Sequence, residues 1–438
     1  MMTSATALDA ELSSDAAAEG RAYAKVTLRL IPLLFLCYVL SYLDRVNVGF
    51  AKLEMLGDLK LSDTAYGLGA GLFFIGYFLF EIPSNLILHR VGARKWIARI
   101  MVSWGLVSAA TMLVTTPAMF YVMRFLLGVA EAGFFPGVIL YLTYWYPAAR
   151  RGRITALFMT AVPLSGVIGG PLSGWILERF DGVHGMAAWR WLFLIEGFPT
   201  ALLGIVVLFA LTDGIDEARW LSNDDKRLLR RNLEADEPSL VSHSFRDALR
   251  DGRVWLLSLV YFGVVMGVYG VGFWLPSLVK ATGVEGALHI GLLSAIPYAA
   301  ASVGMVLLGW SADRFRERRR HLAASCLIGA IGLVASALHA SHTAAALVAL
   351  TLACAGIMAA LPLFWSLPTA FLGGAAAAGG IALINSLGNL AGFASPYMVG
   401  FVKDLTASTD VAIYALALCL TMSAILVIVG APSRLVNR

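Results

Sequence analysis

The sequence predicts an all-α membrane protein with twelve transmembrane helices in two pseudo-symmetric six-helix bundles. Three observations predict this fold: the apolar composition, the spacing of the apolar runs and a basic turn that occurs in both halves. Hydrophobic residues make up 59% of the 438 residues, charged residues 14%, and the mean hydropathy is +0.77. Soluble domains have about 25% charged and about 45–50% apolar residues. This composition therefore indicates a protein whose surface lies mostly in lipid.

A membrane-crossing helix needs about 20 predominantly apolar residues. Runs of this kind, numbered here as spans 1 to 12, occur at 28–51, 66–89, 95–115, 118–142, 153–177, 189–211, 253–279, 287–311, 320–340, 343–366, 376–400 and 410–431. We therefore expect a disordered polar tail (1–27), an amino-terminal bundle (28–211), a central loop (212–252), a carboxy-terminal bundle (253–431) and a short tail (432–438).

The basic residues predict the orientation of the chain. Most of the 33 Lys and Arg residues fall in the tails or in the loops after spans 2, 4, 6 and 8. Basic residues are retained on the cytoplasmic side of a membrane. We therefore expect a multi-pass protein of the inner membrane with both termini in the cytoplasm.

Several function classes fit the sequence poorly. The net charge of +5 arises from loops between apolar runs, so no nucleic-acid partner is expected. The four cysteines lie inside apolar runs without metal-ligand spacing, so neither disulfides nor a metal site are predicted. We find no intramembrane Ser/His/Asp set, no phosphate-binding loop and no channel filter element. The sequence therefore predicts a protein that is not an enzyme and needs no cofactor beyond a coupling ion.

A basic turn follows the second span of each half. "NLILHRVGARKW" follows span 2 and "GWSADRFRERRRH" follows span 8. Such turns could be topology signals alone, but their repetition at equivalent places indicates two related halves, an architecture typical of transporters. We predict gating or conformational roles for four residues of these turns: Arg90, Arg94, Asp313 and Arg314.

Four charged residues lie within apolar spans 1 and 4: Asp44, Arg45, Arg124 and Glu131. Each costs about 2.5–3.5 kcal/mol at the bilayer centre if it is unpaired, so such residues are usually functional. Arg124 and Glu131 are seven residues apart, which places them on one helix face about 10 Å apart. We hypothesise ion pairs Asp44–Arg124 and Arg45–Glu131 between the two spans. A purely structural role, holding the helices in register, is the alternative.

The chemistry of this cluster suits an anion that binds together with a proton. A guanidinium presents a planar fork of donors that matches a carboxylate. If Glu131 is protonated, Arg45 is released to bind a substrate carboxylate, and if Glu131 is ionised the pair closes again. We therefore predict a proton-coupling role for Glu131 and substrate contacts for Arg45 and Arg124.

Further polar residues in the spans are candidates for substrate binding. Asn385 and Asn389 are four apart and share a helix face, although an intramembrane Asn also bonds neighbouring helices. Trp365 precedes Pro368 and predicts a break in span 10 that turns backbone towards a cavity. The other candidates are tyrosines, which are also common as anchors or core residues: Tyr42, Tyr77 and, less strongly, Tyr269.

Two more acids lie in or near spans. Glu81 precedes the first basic turn by about one helical turn, and Glu196 follows "WRWLF" at the start of span 6. We predict that both form structural or gating salt bridges rather than substrate contacts. Span 5 contains "SGVIGGPLSGW", which permits close helix contact and a bend.

These motifs resemble the major facilitator superfamily. The second basic turn keeps Gly309, Asp313 and Arg314 of the signature G-x-x-x-D-R-x-G-R-R/K, whereas the first has Asn85 and His89 in place of Gly and Asp. This departure and three further segments together resemble the anion:cation symporter branch, which includes tartrate, phthalate and sugar-acid carriers. The segments are "FLFEIPSNL", "WRWLFLIEG" and "FWSLPTAFLGGAAAAGGIALINSLGNLAGF".

The resemblance implies specific roles. Members of the branch use an Asp-Arg pair in helix 1 and a Glu in helix 4 for proton and anion coupling, and these match Asp44, Arg45 and Glu131. We expect a monomeric proton-coupled importer of a small organic anion, with a hydroxy-dicarboxylate such as tartrate or an aromatic carboxylate favoured. Span 5 also resembles a glycine-proline motif of exchangers, so anion exchange or facilitated diffusion stays open, as does a non-transporting membrane sensor.

Overall fold

The computed structural model describes residues 2–235, 250–371 and 375–430, and within these ranges the secondary structure is helical, with turns and short loops. The predicted tail 432–438 and the central-loop residues 236–249 lie outside the described residues. Eleven described segments are long and apolar enough to cross a membrane: Ala17–Asp58, Asp63–Val91, Ala93–Leu113, Pro117–Thr143, Arg150–Arg179, Ala188–Ala210, Gly252–Ala281, Ala287–Phe315, Arg318–Leu338, Thr343–Pro368 and Asp410–Gly430. Helix Ala375–Thr406 lies where span 11 is predicted. The prediction of twelve spans in two bundles is confirmed.

Span 1 begins earlier than its apolar run suggests. A helix runs from Met2 to Val46, and after a turn at Asn47 a second helix, Val48–Asp58, continues the span. The expectation of a disordered tail is therefore wrong. The tail is rich in alanine, which has the highest helix propensity, and it continues directly into an apolar helix.

Span 4 consists of two helices, Pro117–Glu131 and Phe134–Thr143, joined at Gly133. Gly133 has a φ of +86°, and a Cβ there would lie 2.4 Å from the Ser84 Oγ, so both its conformation and its contact favour glycine. The break places Glu131 at the carboxyl end of a helix inside the membrane. A cation is stabilised at such an end by the free carbonyls and the helix dipole.

Span 10 does not break where the sequence predicts. Its helix, Thr343–Phe371, continues past Trp365 and through Pro362 and Pro368. The predicted break at Trp365 is wrong because neighbouring helices in a membrane bundle supply partners for the backbone groups that proline leaves free.

The two bundles meet along two pairs of antiparallel spans: span 2 against span 11, and span 5 against span 8. Small residues permit this approach. A Cβ on Gly170 would lie 2.6 Å from the Gly291 carbonyl oxygen, and one on Gly67 would lie 2.3 Å from that of Pro396. We call the side of the bundles that carries residues 211–235 and 250–252 the terminus side, since the described chain also begins and ends there, and the other side the opposite side.

Candidate functional site

A central cavity of about 70 Å³ lies between the two bundles. Every residue predicted to bind substrate lines it except Arg124: Tyr42, Arg45, Tyr77, Tyr269, Trp365, Asn385 and Asn389. The cavity therefore collects, from five spans, the side chains that the sequence singled out.

Arg45 is the one charged side chain among the described residues that line this cavity. Its Nη2 pairs with the Glu131 carboxylate, and its Nη1 donates to the Tyr269 hydroxyl at 2.8 Å. Glu131 also accepts a hydrogen bond of 2.9 Å from the Ser41 hydroxyl. The predicted Arg45–Glu131 pair is confirmed, and the pair is buried in the wall of the cavity.

Aromatic rings surround the Arg45 guanidinium. Its Cζ lies 5.1 Å from the ring centroid of Phe73, 5.5 Å from that of Tyr42 and 5.7 Å from that of Tyr77. These distances allow cation–π attraction. Neither the Arg45 Nε nor the Glu131 Oε2 has a hydrogen-bond partner in the described part of the chain. The pair thus has spare donor and acceptor capacity.

Asp44 does not pair with Arg124, so that hypothesis is wrong. Three neutral donors bind the Asp44 carboxylate: Trp104 Nε1 at 3.0 Å, Ser108 Oγ at 3.0 Å and Thr200 Oγ1 at 2.9 Å. Asp44 faces spans 3 and 6, away from span 4. It is fully buried inside the amino-terminal bundle, next in sequence to the cavity-lining Arg45.

Arg124 is buried behind the cavity wall instead of lining it. Its Nη2 donates to the Ala70 carbonyl at 3.5 Å, and its Cζ lies 5.3 Å from the Phe73 ring centroid. Its Nε and Nη1 have no hydrogen-bond partner among the described residues. Both guanidinium groups, of Arg45 and Arg124, therefore lie near the Phe73 ring.

Glu81 connects the bundles on the terminus side of the cavity. Asn385 Nδ2 donates to its Oε1 at 2.7 Å, and Asn389 Nδ2 donates to its Oε2 at 3.2 Å. Glu196 accepts from the Ser173 hydroxyl at 2.7 Å within the amino-terminal bundle. Neither acid forms the predicted salt bridge, because amide or hydroxyl donors occupy the positions where cations were expected.

A second set of contacts between spans 2 and 11 lies on the opposite side and was not predicted. Asp63 pairs with Lys52 at 2.7 Å and with Lys403 at 3.0 Å. Asp404 accepts from the backbone amides of Asp63 and Thr64, at 3.2 and 2.8 Å, and so caps span 2 from the other bundle. We call these four side chains, Lys52, Asp63, Lys403 and Asp404, the opposite-side latch.

The repeated basic turns make ion pairs within their own bundles. The Arg94 amide donates to Asp213 Oδ1 at 2.7 Å, and the Arg94 Nε lies 3.4 Å from its Oδ2. Asp313 pairs with Arg318 at 3.1 Å. The side chains of Arg90 and Arg314 are exposed at the terminus side. Their predicted gating roles stay predictions.

Sequence reasoning missed much of the aromatic lining. Tyr38 lies four residues before Tyr42, a spacing that places both on one helix face, and it stacks on Phe158 at a centroid distance of 4.5 Å. Tyr261 contacts Trp365, with ring centroids 5.0 Å apart. The signal for Tyr38 was present in the spacing, whereas Tyr261 became recognisable only through its position beside Trp365.

A membrane protein of two six-helix bundles, with a cavity at their interface and buried charges in its wall, has the architecture of a secondary transporter. The sequence model of the Major Facilitator Superfamily matches residues 34–396, and the chain belongs to this superfamily.

Named relatives agree with this assignment. The chain is 53% identical over 418 residues to the "Putative metabolite transport protein NicT" of Pseudomonas putida, an alignment that covers 95% of each chain. It is 49% identical over 417 residues to a "Putative tartrate transporter" of Agrobacterium vitis, covering 95% of this chain and 92% of the relative. The crystal structure of a D-xylose–proton symporter matches with a TM-score of 0.73 and 17% identity, covering 93% of this chain and 98% of that one. This last likeness shows the fold.

Proposed function

We propose that the protein imports a small organic anion together with protons, by alternating access of the two bundles. The single observation that carries this proposal is the Arg45–Glu131 pair in the wall of the central cavity. A guanidinium that lines a cavity attracts the carboxylate of a substrate. The Glu131 carboxylate already bound to Arg45 competes with the substrate until protonation neutralises it. Proton binding and anion binding are thereby linked at one side chain.

The exchange at Arg45 follows from the contacts. While Glu131 is ionised it holds the Nη2 donor, and the Tyr269 hydroxyl holds Nη1. Protonation of Glu131 removes its negative charge, which frees the Arg45 fork for the carboxylate of a substrate. When that proton leaves, Glu131 again competes for Arg45 and the substrate is released. Asp44 is our candidate for a second proton site, since it is buried beside Arg45 with neutral donors alone.

The rest of the cavity favours a short substrate with polar groups at both ends or an aromatic ring. Arg45, which belongs to the amino-terminal bundle, receives a carboxylate of the substrate. The amides of Asn385 and Asn389 line the cavity from the carboxy-terminal bundle. Between them lie tyrosine, phenylalanine and tryptophan rings that can pack on a carbon chain or a ring. A hydroxy-dicarboxylate such as tartrate fits this arrangement, as does an aromatic carboxylate, and the similarity to a relative named for tartrate supports the first.

The orientation of the protein is part of the proposal. The basic turns after spans 2 and 8 lie on the terminus side, and basic residues are retained in the cytoplasm. The terminus side is then cytoplasmic and the opposite side faces outwards in the cell membrane. The opposite-side latch joins the two bundles on the side that we propose to face outwards.

Uptake into proteoliposomes tests the proposal. A panel of labelled organic acids that includes tartrate and an aromatic carboxylate is offered with and without an inward proton gradient. We expect the gradient to drive accumulation, Glu131→Gln to abolish it, and Glu131→Gln to retain counterflow of preloaded substrate. Glu217→Gln, at an exposed position, is the matched control and should behave like the parent.

Three outcomes would favour other functions. Uptake that is indifferent to the gradient would favour facilitated diffusion, and uptake that requires preloaded anion would favour exchange. Binding of an acid without any uptake would favour a sensor. Full gradient-driven accumulation by Glu131→Gln would remove this residue from proton coupling.

A further inference from the structure

Glu81 acts on the central cavity through two side chains of the other bundle. It lies on span 2, one helical turn beyond the cavity-lining Tyr77, and is not itself part of the cavity wall. Its buried carboxylate binds the side chains of Asn385 and Asn389, which line the cavity from span 11. Each asparagine therefore contacts both the cavity and Glu81.

The hydrogen bonds of Glu81 are those of an ionised carboxylate. Its Oε1 accepts from Asn385 Nδ2 at 2.7 Å, and its Oε2 accepts from Asn389 Nδ2 at 3.2 Å. An ionised carboxylate only accepts hydrogen bonds, whereas a protonated one also donates from one oxygen. No described cation pairs with Glu81, and the two amides are the polar groups that act on its carboxylate. Neutral donors alone therefore stabilise the negative charge.

The ionised Glu81 fixes the orientation of both amides. Because it needs donors, Asn385 and Asn389 each turn the Nδ2 group towards it. The carbonyl oxygen Oδ1, on the other branch of each amide, then points away from Glu81. This oxygen is a hydrogen-bond acceptor. The amides therefore offer a ligand in the cavity acceptors more readily than donors.

The two bundles thus give the cavity opposite polarities. On the amino-terminal side, Arg45 presents a fork of donors that matches a carboxylate. On the carboxy-terminal side, the ligand meets the asparagine oxygens, and the Glu81 charge lies behind them within the width of one amide group. A hydroxyl or N–H group can donate to such a wall. A second carboxylate would meet acceptors and a like charge, and juxtaposed like charges oppose binding.

We propose that Glu81 is a positioning residue that determines specificity. Through Asn385 and Asn389 it makes the site prefer a monocarboxylate with a hydroxyl or N–H group at its far end over a dicarboxylate. The inference rests on the proposed function, in which Arg45 binds the first carboxylate. It narrows the substrate classes named there to hydroxylated aliphatic or aromatic monocarboxylates. Tartrate should then bind more weakly than its monocarboxylate counterpart.

Matched pairs of acids test this preference on the purified parent protein. Threonate carries a hydroxymethyl group where tartrate has its second carboxylate, and para-hydroxymethylbenzoate differs from terephthalate in the same way. Dissociation constants are measured by calorimetry near neutral pH, where all these acids are fully ionised. In at least one pair, the monocarboxylate should bind at least about tenfold more tightly. A dicarboxylate that binds as tightly in each pair, or a failure of both monocarboxylates to bind, overturns the proposal.

Substitutions of Glu81 test whether it causes the preference. Glu81→Gln keeps the size of the side chain but removes the charge, so the asparagines can turn their donors to the ligand. We expect the preference to fall to within about threefold, because the dicarboxylate binds more tightly. Glu81→Asp keeps the charge and should keep a preference for the monocarboxylate. Glu217→Gln, at an exposed position, is the control and should retain the parental ratio.

A structural role of Glu81 would give a different result. If Glu81 only holds the bundles together, Glu81→Gln weakens both acids of a pair equally and leaves their ratio unchanged, which overturns the proposal. If Glu81→Gln does not fold, the parental preference and its retention in Glu81→Asp still decide the question.

The two proposals fail differently, because binding is measured without a membrane or a proton gradient. A parent protein whose uptake ignores the gradient refutes proton coupling, and the ratio of affinities still reports on Glu81. A coupled parent that binds tartrate and terephthalate as tightly as their monocarboxylate counterparts refutes the role of Glu81 and leaves coupling through Glu131 intact.

Discussion

Arg45 of span 1 donates a hydrogen bond of 2.8 Å to the Tyr269 hydroxyl of span 7, across the central cavity. The same guanidinium pairs with Glu131 of span 4. Arg45 is therefore attached to both bundles at once. A substrate carboxylate that takes the place of Glu131 would therefore bind a guanidinium that Tyr269 still connects to the other bundle.

Tyr269→Phe should weaken substrate binding while leaving the fold intact. The change removes the acceptor that fixes Nη1 of Arg45, and a hydrogen bond to a charged group contributes about 1.5–3 kcal/mol. We expect the substrate concentration for half-maximal counterflow to rise roughly tenfold or more. Tyr414→Phe, at a half-exposed position in span 12, is the control. Unchanged affinity in Tyr269→Phe would show that its hydroxyl does not orient Arg45.

Asp404→Ala should favour the conformation that opens on the opposite side. Asp404 accepts from two backbone amides at the start of span 2, and the bundles must separate there for that side to open. Loss of these bonds is worth about 1 kcal/mol, or roughly fivefold in the ratio of the two conformations. Spin labels at Thr115 and Ser341, in opposite-side loops of the two bundles, report the distance. Asp410→Ala, on the same side of the carboxy-terminal bundle alone, should leave the distance distribution as in the parent.

Gly170→Ala should also favour the conformation that opens on the opposite side, because its methyl group would collide with span 8. Its Cβ would lie 2.6 Å from the Gly291 carbonyl oxygen of span 8, whereas a Cβ on the adjacent Gly169 would lie 3.5 Å from Leu43 Cγ, an ordinary contact. Overpacking of this kind costs about 1–3 kcal/mol. The same spin-label pair should show wider separation in Gly170→Ala and parental separation in Gly169→Ala. Identical behaviour of the two variants would contradict the close contact of spans 5 and 8.

Lys25→Ala should loosen the surface helix Asn223–Glu234 in a pH-dependent way. The hydrogen bond from Lys25, 2.7 Å long, and the capping contacts with Ser222 lower the pKa of Asp225. A lowered folded-state pKa contributes stability above the unfolded pKa, about 3.9, that is lost as pH falls through the folded value. Near neutral pH we expect amide exchange in this helix to quicken by about two- to fivefold, as for a surface ion pair.

This difference should disappear under strongly acidic conditions, where Asp225 is protonated in both proteins. Arg21→Ala, at an exposed position four residues earlier in the same helix, is the control. A difference between Lys25→Ala and the parent that persists at low pH would mean that lysine packing, and not the ion pair, holds the helix.

The sequence predicted one ion pair correctly and the other incorrectly, for a physical reason. Opposite charges inside two apolar spans must find partners, and the Arg45–Glu131 pair satisfies that requirement. The rotation of each span about its axis is not set by its own sequence, so the side on which Asp44 falls was not predictable. Its partners, Trp104, Ser108 and Thr200, are residue types that also occur in ordinary helix packing, and nothing distinguishes them before the spans are packed.

The opposite-side latch depends on contacts between distant parts of the chain. Lys52 and Asp63 precede Lys403 and Asp404 by more than three hundred residues, and each pair alone resembles an ordinary polar loop. The Glu81 contacts illustrate the same limit: Asn385 and Asn389 were predicted to share a face, but their acceptor lies in the other bundle. Spans and bundles follow from local composition, whereas such contacts follow from the docking of two halves.

Spans 2 and 11 contact each other at two levels, through Glu81 with its two asparagines beside the cavity and through the opposite-side latch. A closure on one side can therefore form before the closure on the other is released. If the two closures alternate in this way, no continuous aqueous pore opens through the protein, and ions do not leak across the membrane during transport.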